Sequence, residues 1–375
     1  MNSYLQAFEN LLTQVVEQQA SDLHLSTGGA VFVRRYGKLT ALEGDIWTEA
    51  AVDQLVEELL PEEQVERFRT DRSLDLAHTS QAGPRFRLNL YYERQKPSLA
   101  ARRIESAIPD FFSLQLPPVL DRLTTVHDGL TLITGPTGSG KSTTLSAIID
   151  QINQQSSQHI LTIEDPVEYV HQNAQSMVHQ RELHTDVPSF AQGIKDALRE
   201  DPDVILVGEM RDQETMRTAI AAAETGHAVF STLHTSDPVG ALSRFLGAFS
   251  AEEQASLRHQ LSMVLNAVVA QHLVPTHCGK ARVPIVEVLW ATNAVRNHIR
   301  TGRFEQIYTA MEAGSEEGMI TREQSLAHHV RAENITLDAA MRLAKEPKGL
   351  VELLRFQRSR ENEGAESGKC FEGAA

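Results

Sequence analysis

The stretch Leu130-Thr131-Leu132-Ile133-Thr134-Gly135-Pro136-Thr137-Gly138-Ser139-Gly140-Lys141-Ser142-Thr143 decides the fold. Its first five residues are an apolar run of the length of a buried strand. From Gly135 to Ser142 the chain then matches, at every required position, the glycine-rich loop that cradles phosphates. The glycines let backbone N–H groups point inward, and the helix expected from about Lys141 to Asn153 adds its positive end. Lys141 is placed to reach β- and γ-phosphates, and the Ser142 hydroxyl to ligate Mg²⁺. A plain glycine turn with an exposed lysine is the alternative. It does not account for the strand pattern before the loop and the helical pattern after it. The segment Gly135–Thr143 is therefore the expected ATP-binding loop.

Outward from the loop, strands alternate with helices. Ile160–Ile163 is a second strand. A helix over Phe190–Arg199 precedes a third strand, Val204–Val207. Asp212 can cap a helix that runs to Thr225 and stops at Gly226, and Ala228–Leu233 is a fourth strand. This alternation predicts a parallel sheet covered on both faces. Ligands of such sheets sit beyond the C-terminal strand ends, which makes the acids there informative. Ile163 runs into Glu164-Asp165, and Val207 runs through Gly208 into Glu209. A carboxylate at such an end can orient the attacking water or hold the Mg²⁺ hydration shell. Gly208 stands where an aspartate commonly follows the apolar run. Glu209 is therefore the candidate for activating water, and Glu164 for the Mg²⁺ side, with helix capping or surface exposure as the plainer alternatives. Neighbouring strand residues face opposite ways, so Glu164 and Asp165 do not share a role. His227 and His234 are seven apart and fall on opposite faces of a straight strand. Position favours His234 as a γ-phosphate sensor over a packing residue.

The N-terminal part has a different texture. Leu5, Phe8, Leu12 and Val15 recur at helical spacing, the pattern of a core-facing amphipathic helix. From Ser21 to about Ile108 a small α+β unit is expected. Asp22–Leu25 and Val31–Val33 read as strands around Gly28-Gly29, and Thr48 caps a helix that Pro61 stops. Phe86, Leu88, Leu90 and Tyr92 alternate with Arg87, Asn89 and Tyr91, and Ser98–Ile104 is the expected neighbouring strand. Pro109, Pro117 and Pro118 mark a linker. Arg85, Arg87, Arg94, Arg102 and Arg103 cluster here, either as a solvated strand face or as phosphate-binding groups delivered from a neighbouring domain. From Ser250, opening on the capping box Ser250–Glu253, the chain reads as mainly helical with a short strand pair around Val283–Trp290. Arg358–Ala375 is polar and glycine-rich, the composition of a disordered tail.

Composition narrows the function. The 375 residues carry 35 Lys plus Arg against 50 Asp plus Glu, a net charge of −15. That charge repels phosphate backbones, so no nucleic-acid partner is expected. The two cysteines, Cys278 and Cys370, cannot build a four-cysteine zinc site, so no zinc is expected, and they fit a reducing cytoplasm. No run approaches the length of a spanning helix, and Met1–Glu17 lacks the regions of a secretory signal.

Several stretches resemble the PilT branch of the type II/IV secretion ATPases. They are Ala20–Leu25, Gly135–Thr144, Ile160–Tyr169, Leu198–Asp212 and Ala223–Thr235. The resemblance reaches to about Glu346. It implies an α/β protein: a small N-terminal α+β, PAS-like domain (1–112), a RecA-like P-loop ATPase core (113–291), a helical C-terminal region (292–357) and the tail (358–375). It places Glu164 in an acidic box, Glu209 in the Walker B segment as catalytic base and His234 in a histidine box. Arg87, Arg102 and, with a one-residue shift, Arg94 lie near the family's phosphate-contacting arginines. Ala294–Arg300 is similar to a C-terminal motif linked to retraction, with His298 and Thr301 standing where the family has an apolar residue and an acid. The activity implied is ATP- and Mg²⁺-dependent retraction of type IV pili by a cytoplasmic homo-hexamer. Its implied partners are an inner-membrane platform protein and a paralogous motor. A secretion or conjugation-type ATPase, or a nucleotide-gated scaffold, is the alternative.

Overall fold

In the computed structural model, which describes residues 4–35, 38–44, 46–104, 107–279 and 281–355, the chain forms two compact units. The first is built on the chain up to Ile108 and includes Glu164–His171 and Gln180–Asp186; the second is built on the remainder. The tail expected from Arg358 onward lies outside the described residues.

The first unit is an antiparallel sheet in the order β3-β2-β1-β6-β5-β4. Its strands are β1 (Asp22–Ser26), β2 (Phe32–Arg35), β3 (Lys38–Ala41), β4 (Ser73–Thr79), β5 (Arg85–Glu93) and β6 (Lys96–Arg103). The alternation read in the sequence is the burial pattern of β5, whose Phe86, Leu88 and Leu90 are buried while Arg87 and Asn89 are not. Helix α1 (Tyr4–Glu17) buries Phe8, Leu12 and Val15. Helix α2 (Glu49–Leu59) buries Val52, Leu55 and Val56, and the Thr48 hydroxyl caps it by accepting from the Ala51 N–H. These residues share one core with Leu23, Leu25 and Leu99. The sequence reading passed over α3 (Glu62–Asp71) and β4. Helix α3 buries only Val65 and Phe68 in a charged segment, too few anchors to raise a helical period.

The second unit is a mixed sheet in the order β13-β12-β7-β11-β10-β8-β9. Strands β7 (Gly129–Thr134), β8 (His159–Glu164), β10 (Val204–Val207), β11 (Ala228–Leu233) and β12 (Leu265–Pro275) run parallel, and β13 (Arg282–Trp290) returns antiparallel to β12. Strand β9 (Met177–Glu182) lies at the far edge. Every residue of β7, β10 and β11 is buried, as befits strands covered on both faces. Helices α4 (Lys141–Gln155), α5 (Phe190–Ala197), α6 (Gln213–Glu224), α7 (Pro238–Gly247) and α8 (Ala251–Val264) connect them. Helices α9 (Asn293–Thr301), α10 (Ile307–Ala313), α11 (Arg322–Arg331) and α12 (Leu337–Leu343) follow. Asp212 caps α6 as expected, accepting from the Thr215 N–H.

One expectation needs correction. The region after Ser250 holds a full pair of long strands, and β12 is a central member of the sheet, parallel to β7. Its run Leu265–Pro275 is buried on both faces. An apolar run without alternation does not separate strand from helix.

Candidate active site

The phosphate-binding loop leaves β7 at Thr134, and α4 starts at Lys141 with Gly140 as its N-cap at φ 86°. A left-handed φ suits glycine. Two glycines here are also required by a neighbour. A Cβ on Gly135 would lie 2.3 Å from the Gln271 carbonyl oxygen and 2.5 Å from Ser139 Oγ, and one on Gly140 would lie 2.8 Å from Gln271 Nε2. Gln271 is 3% exposed. Its amide donates to the Ser139 carbonyl at 2.8 Å and its oxygen accepts from the Thr144 hydroxyl at 2.8 Å. One β12 side chain thus ties the loop to the first turn of α4. Gln271 was missed from sequence; the available signal was a lone amide inside the apolar run of β12. Lys141 is buried, and its ammonium donates to the carbonyls of Gly135 at 2.9 Å and Pro136 at 3.2 Å.

The end of β11 is bonded to the start of this loop, and the chain past β10 is bonded to β11 in turn. Leu233 of β11 pairs with Thr134. The Thr134 hydroxyl donates to the Thr235 carbonyl at 2.7 Å and accepts from the Thr235 N–H at 2.9 Å. The chain past β10 is held by Thr232, whose hydroxyl donates to the Gly208 carbonyl at 2.6 Å and whose carbonyl accepts from the Met210 N–H at 3.2 Å. Glu209 between them, 9% exposed, presents its carboxylate to His234 Nε2 at 2.9 Å and to the Arg211 guanidinium at 2.5 Å. The two residues read separately as base and sensor are therefore neighbours. His227 turns elsewhere, its ring nitrogen 3.0 Å from the Ala222 carbonyl at the end of α6.

Beside the loop a cavity of about 710 Å³ opens, bounded by Gly140, Thr143 and Thr144 and by Leu114, Leu116 and Leu273. Its size is that of a small-molecule site, and its leucines offer apolar contact next to the anion-binding turn.

Glu164 ends β8. Its Oε1 accepts from Gln180 Nε2 at 3.1 Å, and its carbonyl accepts from the Leu183 N–H at 2.8 Å. In the first unit, Arg87 and Arg102 are direct cross-strand partners on β5 and β6. Like charges so placed repel, and acids offset them: Arg87 lies 3.4 Å from Asp75 and 3.9 Å from Glu168, and Arg102 donates to Asp22 at 2.8 Å. Burial disfavours the Asp22 charge, but the Arg102 and Ser21 hydrogen bonds outweigh it and lower its pKa. Arg94 sits apart in the β5–β6 turn at φ 52°. Arg85 instead binds Glu182 at 3.1 Å and the Val167 carbonyl at 3.0 Å. Among the described residues no group of three or more His, Cys, Asp or Glu could hold a metal ion, and no helix is long and apolar enough to cross a membrane.

A phosphate loop on a central strand, with a carboxylate–histidine pair past the tips of the adjacent strand β11 and of β10 beyond it, defines a P-loop ATPase with a RecA-like core. Residues 111–353 match the family described as type II/IV secretion system protein, and the chain belongs to that family. It is 40% identical over 318 residues to the twitching motility protein of Neisseria gonorrhoeae, covering 85% of each chain. It is 39% identical to the type IV pilus retraction ATPase PilT of Pseudomonas aeruginosa, over 90% of this chain and 98% of that one. The crystal structure of the pilus retraction motor PilT with bound ADP superposes with a TM-score of 0.84 at 39% identity. That match covers 92% of this chain and 98% of PilT.

Proposed function

We propose that this chain is a motor of type IV pilus retraction, working as a homo-hexamer that couples ATP hydrolysis to pilin disassembly and so to twitching motility. What carries the reading is likeness to retraction ATPases along nearly the whole length of both chains, not only over the core. The likeness to PilT also favours the cytoplasmic face of the inner membrane as its place of work, with an inner-membrane platform protein and a paralogous motor as partners.

In this reading the loop Gly135–Thr143 wraps the triphosphate with its N–H groups, and the base rests against Leu114, Leu116 and Leu273. The Lys141 ammonium exchanges loop carbonyls for β- and γ-phosphate oxygens. The donors suit Mg²⁺ as an ion brought by the nucleotide: the exposed Ser142 hydroxyl is a hard oxygen ligand in the first turn of α4, and Glu164 would act through water. The bound ion would neutralise phosphate charge. Glu209 orients and deprotonates the attacking water, and His234 reports the γ-phosphate. Arg87, Arg94 and Arg102 are the phosphate-contacting arginines of this reading, delivered from a neighbouring domain or subunit.

Glu209→Gln should keep Mg-ADP affinity while ATP hydrolysis falls by roughly 10²-fold or more, the scale lost with a key transition-state group. Deleting the gene in its host should make surface filaments accumulate. Loss of filaments would turn the reading toward assembly.

A further inference from the structure

The turn after β11 is tied down by far more than a surface connection needs. Ser236 lies two residues past His234, and its carbonyl oxygen takes two buried donors, Arg322 Nη2 at 2.5 Å and His272 Nε2 at 2.8 Å. A carbonyl only accepts, so the 2.8 Å contact assigns a proton to His272 Nε2, and Arg322 Nη2, 3.1 Å from that nitrogen, then meets it as a second donor to the shared carbonyl rather than as its hydrogen-bond partner. Burial, followed by the Arg322 and Lys345 charges, lowers the His272 pKa even against the Ser236 bond, so this setting disfavours the charged ring.

Arg322 opens α11 and is 6% exposed. Its Nε and Nη2 both reach Glu287 Oε1, at 2.9 and 2.7 Å, and Glu287 on β13 is fully buried. The other Glu287 oxygen lies 3.4 Å from Lys345 Nζ, and that ammonium lies 3.5 Å from Asp237, the N-cap of α7. The ring closes on itself: turn, α11, β13, the segment after α12, and the turn again. Burying such charges carries a desolvation penalty, and well-packed apolar side chains would serve stability at least as well. What charges provide and apolar contacts do not is direction. Arg322 fixes one carbonyl in the turn that carries His234, and Thr235 between them is bonded to the end of the loop-bearing strand.

We propose that Arg322 is a positioning residue for ATP hydrolysis: by gripping the Ser236 carbonyl it holds the turn that aims His234 at Glu209. Catalytic alignment then depends on how α11 is seated, and a shift of the C-terminal helices is felt at the γ-phosphate side of the site. The proposal rests on the roles given above to Glu209 and His234.

The test uses the full chain and the double variant Arg322→Met/Glu287→Gln, which removes the grip without stranding a buried carboxylate. The folded variant should bind Mg-ADP within about threefold of wild type while kcat falls about tenfold or more, and Arg322→Lys should recover part of that loss. A purely structural role would lower Tm and leave kcat per folded molecule unchanged, and kcat within about twofold of wild type overturns the proposal. If the double variant does not fold, Arg322→Lys decides alone: lowered kcat at unchanged ADP affinity supports the proposal, and unchanged kcat overturns it. His234→Ala, measured alongside, separates the two layers. Undiminished kcat there refutes the sensor reading and this proposal with it.

Discussion

Replacing Gln271 with leucine tests whether the β12 amide organises the nucleotide loop or merely packs beneath it. The two side chains have similar volume, so the cavity and overpacking costs of a core exchange stay small. What is lost is a pair of 2.8 Å hydrogen bonds, to the Ser139 carbonyl and from the Thr144 hydroxyl. Thr144 sits in the first turn of α4 and can turn its hydroxyl back to a helix carbonyl. The Ser139 carbonyl has no such choice, because it faces the apolar replacement. A buried acceptor left without a partner costs about 1–3 kcal/mol. The loop escapes that cost by lifting Ser139 toward water, and nucleotide binding must then pull it back. At about 1.4 kcal/mol per decade, a central value of about 2 kcal/mol weakens Mg-ADP binding roughly 30-fold. Glu209 and His234 are untouched, so kcat at saturating ATP should stay within about threefold. Calorimetric titration with Mg-ADP reads the affinity, and steady-state hydrolysis reads kcat and KM. Unchanged ADP affinity with a lowered Tm would show that Gln271 serves the fold alone, and the reasoning from loop geometry would fail.

Two further perturbations follow from the same geometry and from the C-terminal charges. Gly135→Ala puts a methyl group 2.3 Å from a backbone oxygen of β12; neither side is a flexible tip, so Mg-ADP affinity should drop by about 10²-fold or more with the circular dichroism spectrum kept. Glu323 resists burial through hydrogen bonds from Tyr308 and from the backbone N–H groups of Glu346 and Lys345, and its pKa is lowered. A depressed carboxylate contributes stability that is complete above its ordinary value of 4.5 and lost as pH falls below it. The stability gap between wild type and Glu323→Gln, about 2 kcal/mol at neutral pH, should therefore close in acid. A gap that is flat with pH, read from thermal melts, would contradict the assignment.

How much of this was legible depended on whether a residue's neighbours are local. The loop Gly135–Ser142, strands β10 and β11 and the Asp212 cap are set by contiguous residues, and the sequence reading matches the structure there. Strand β12 was not legible, because Leu265–Pro275 is buried on both faces and so carries no period. That one gap hid two things at once. Gln271 and His272 are adjacent polar residues in this run, and their side chains engage different parts of the site, the phosphate loop and the Ser236 turn. Polar groups buried in an apolar strand are retained only when something satisfies them, so the pair was itself a signal of a site. Its partners could not be named, since Ser139 lies 132 residues before Gln271 and Arg322 lies 50 residues beyond His272. The pairing of Glu209 with His234 sits between these cases. Each was readable as a strand-end residue, but their contact requires Thr232 to hold the chain at Gly208 and Met210. A local pattern thus supplies the motifs of this ATPase, and the strand directly beside β7, which no local pattern announces, supplies the buried polar contacts to the loop and the Ser236 turn. Variation at positions 271, 272 and 322 should accordingly tune rate and affinity without altering any motif by which the chain is recognised.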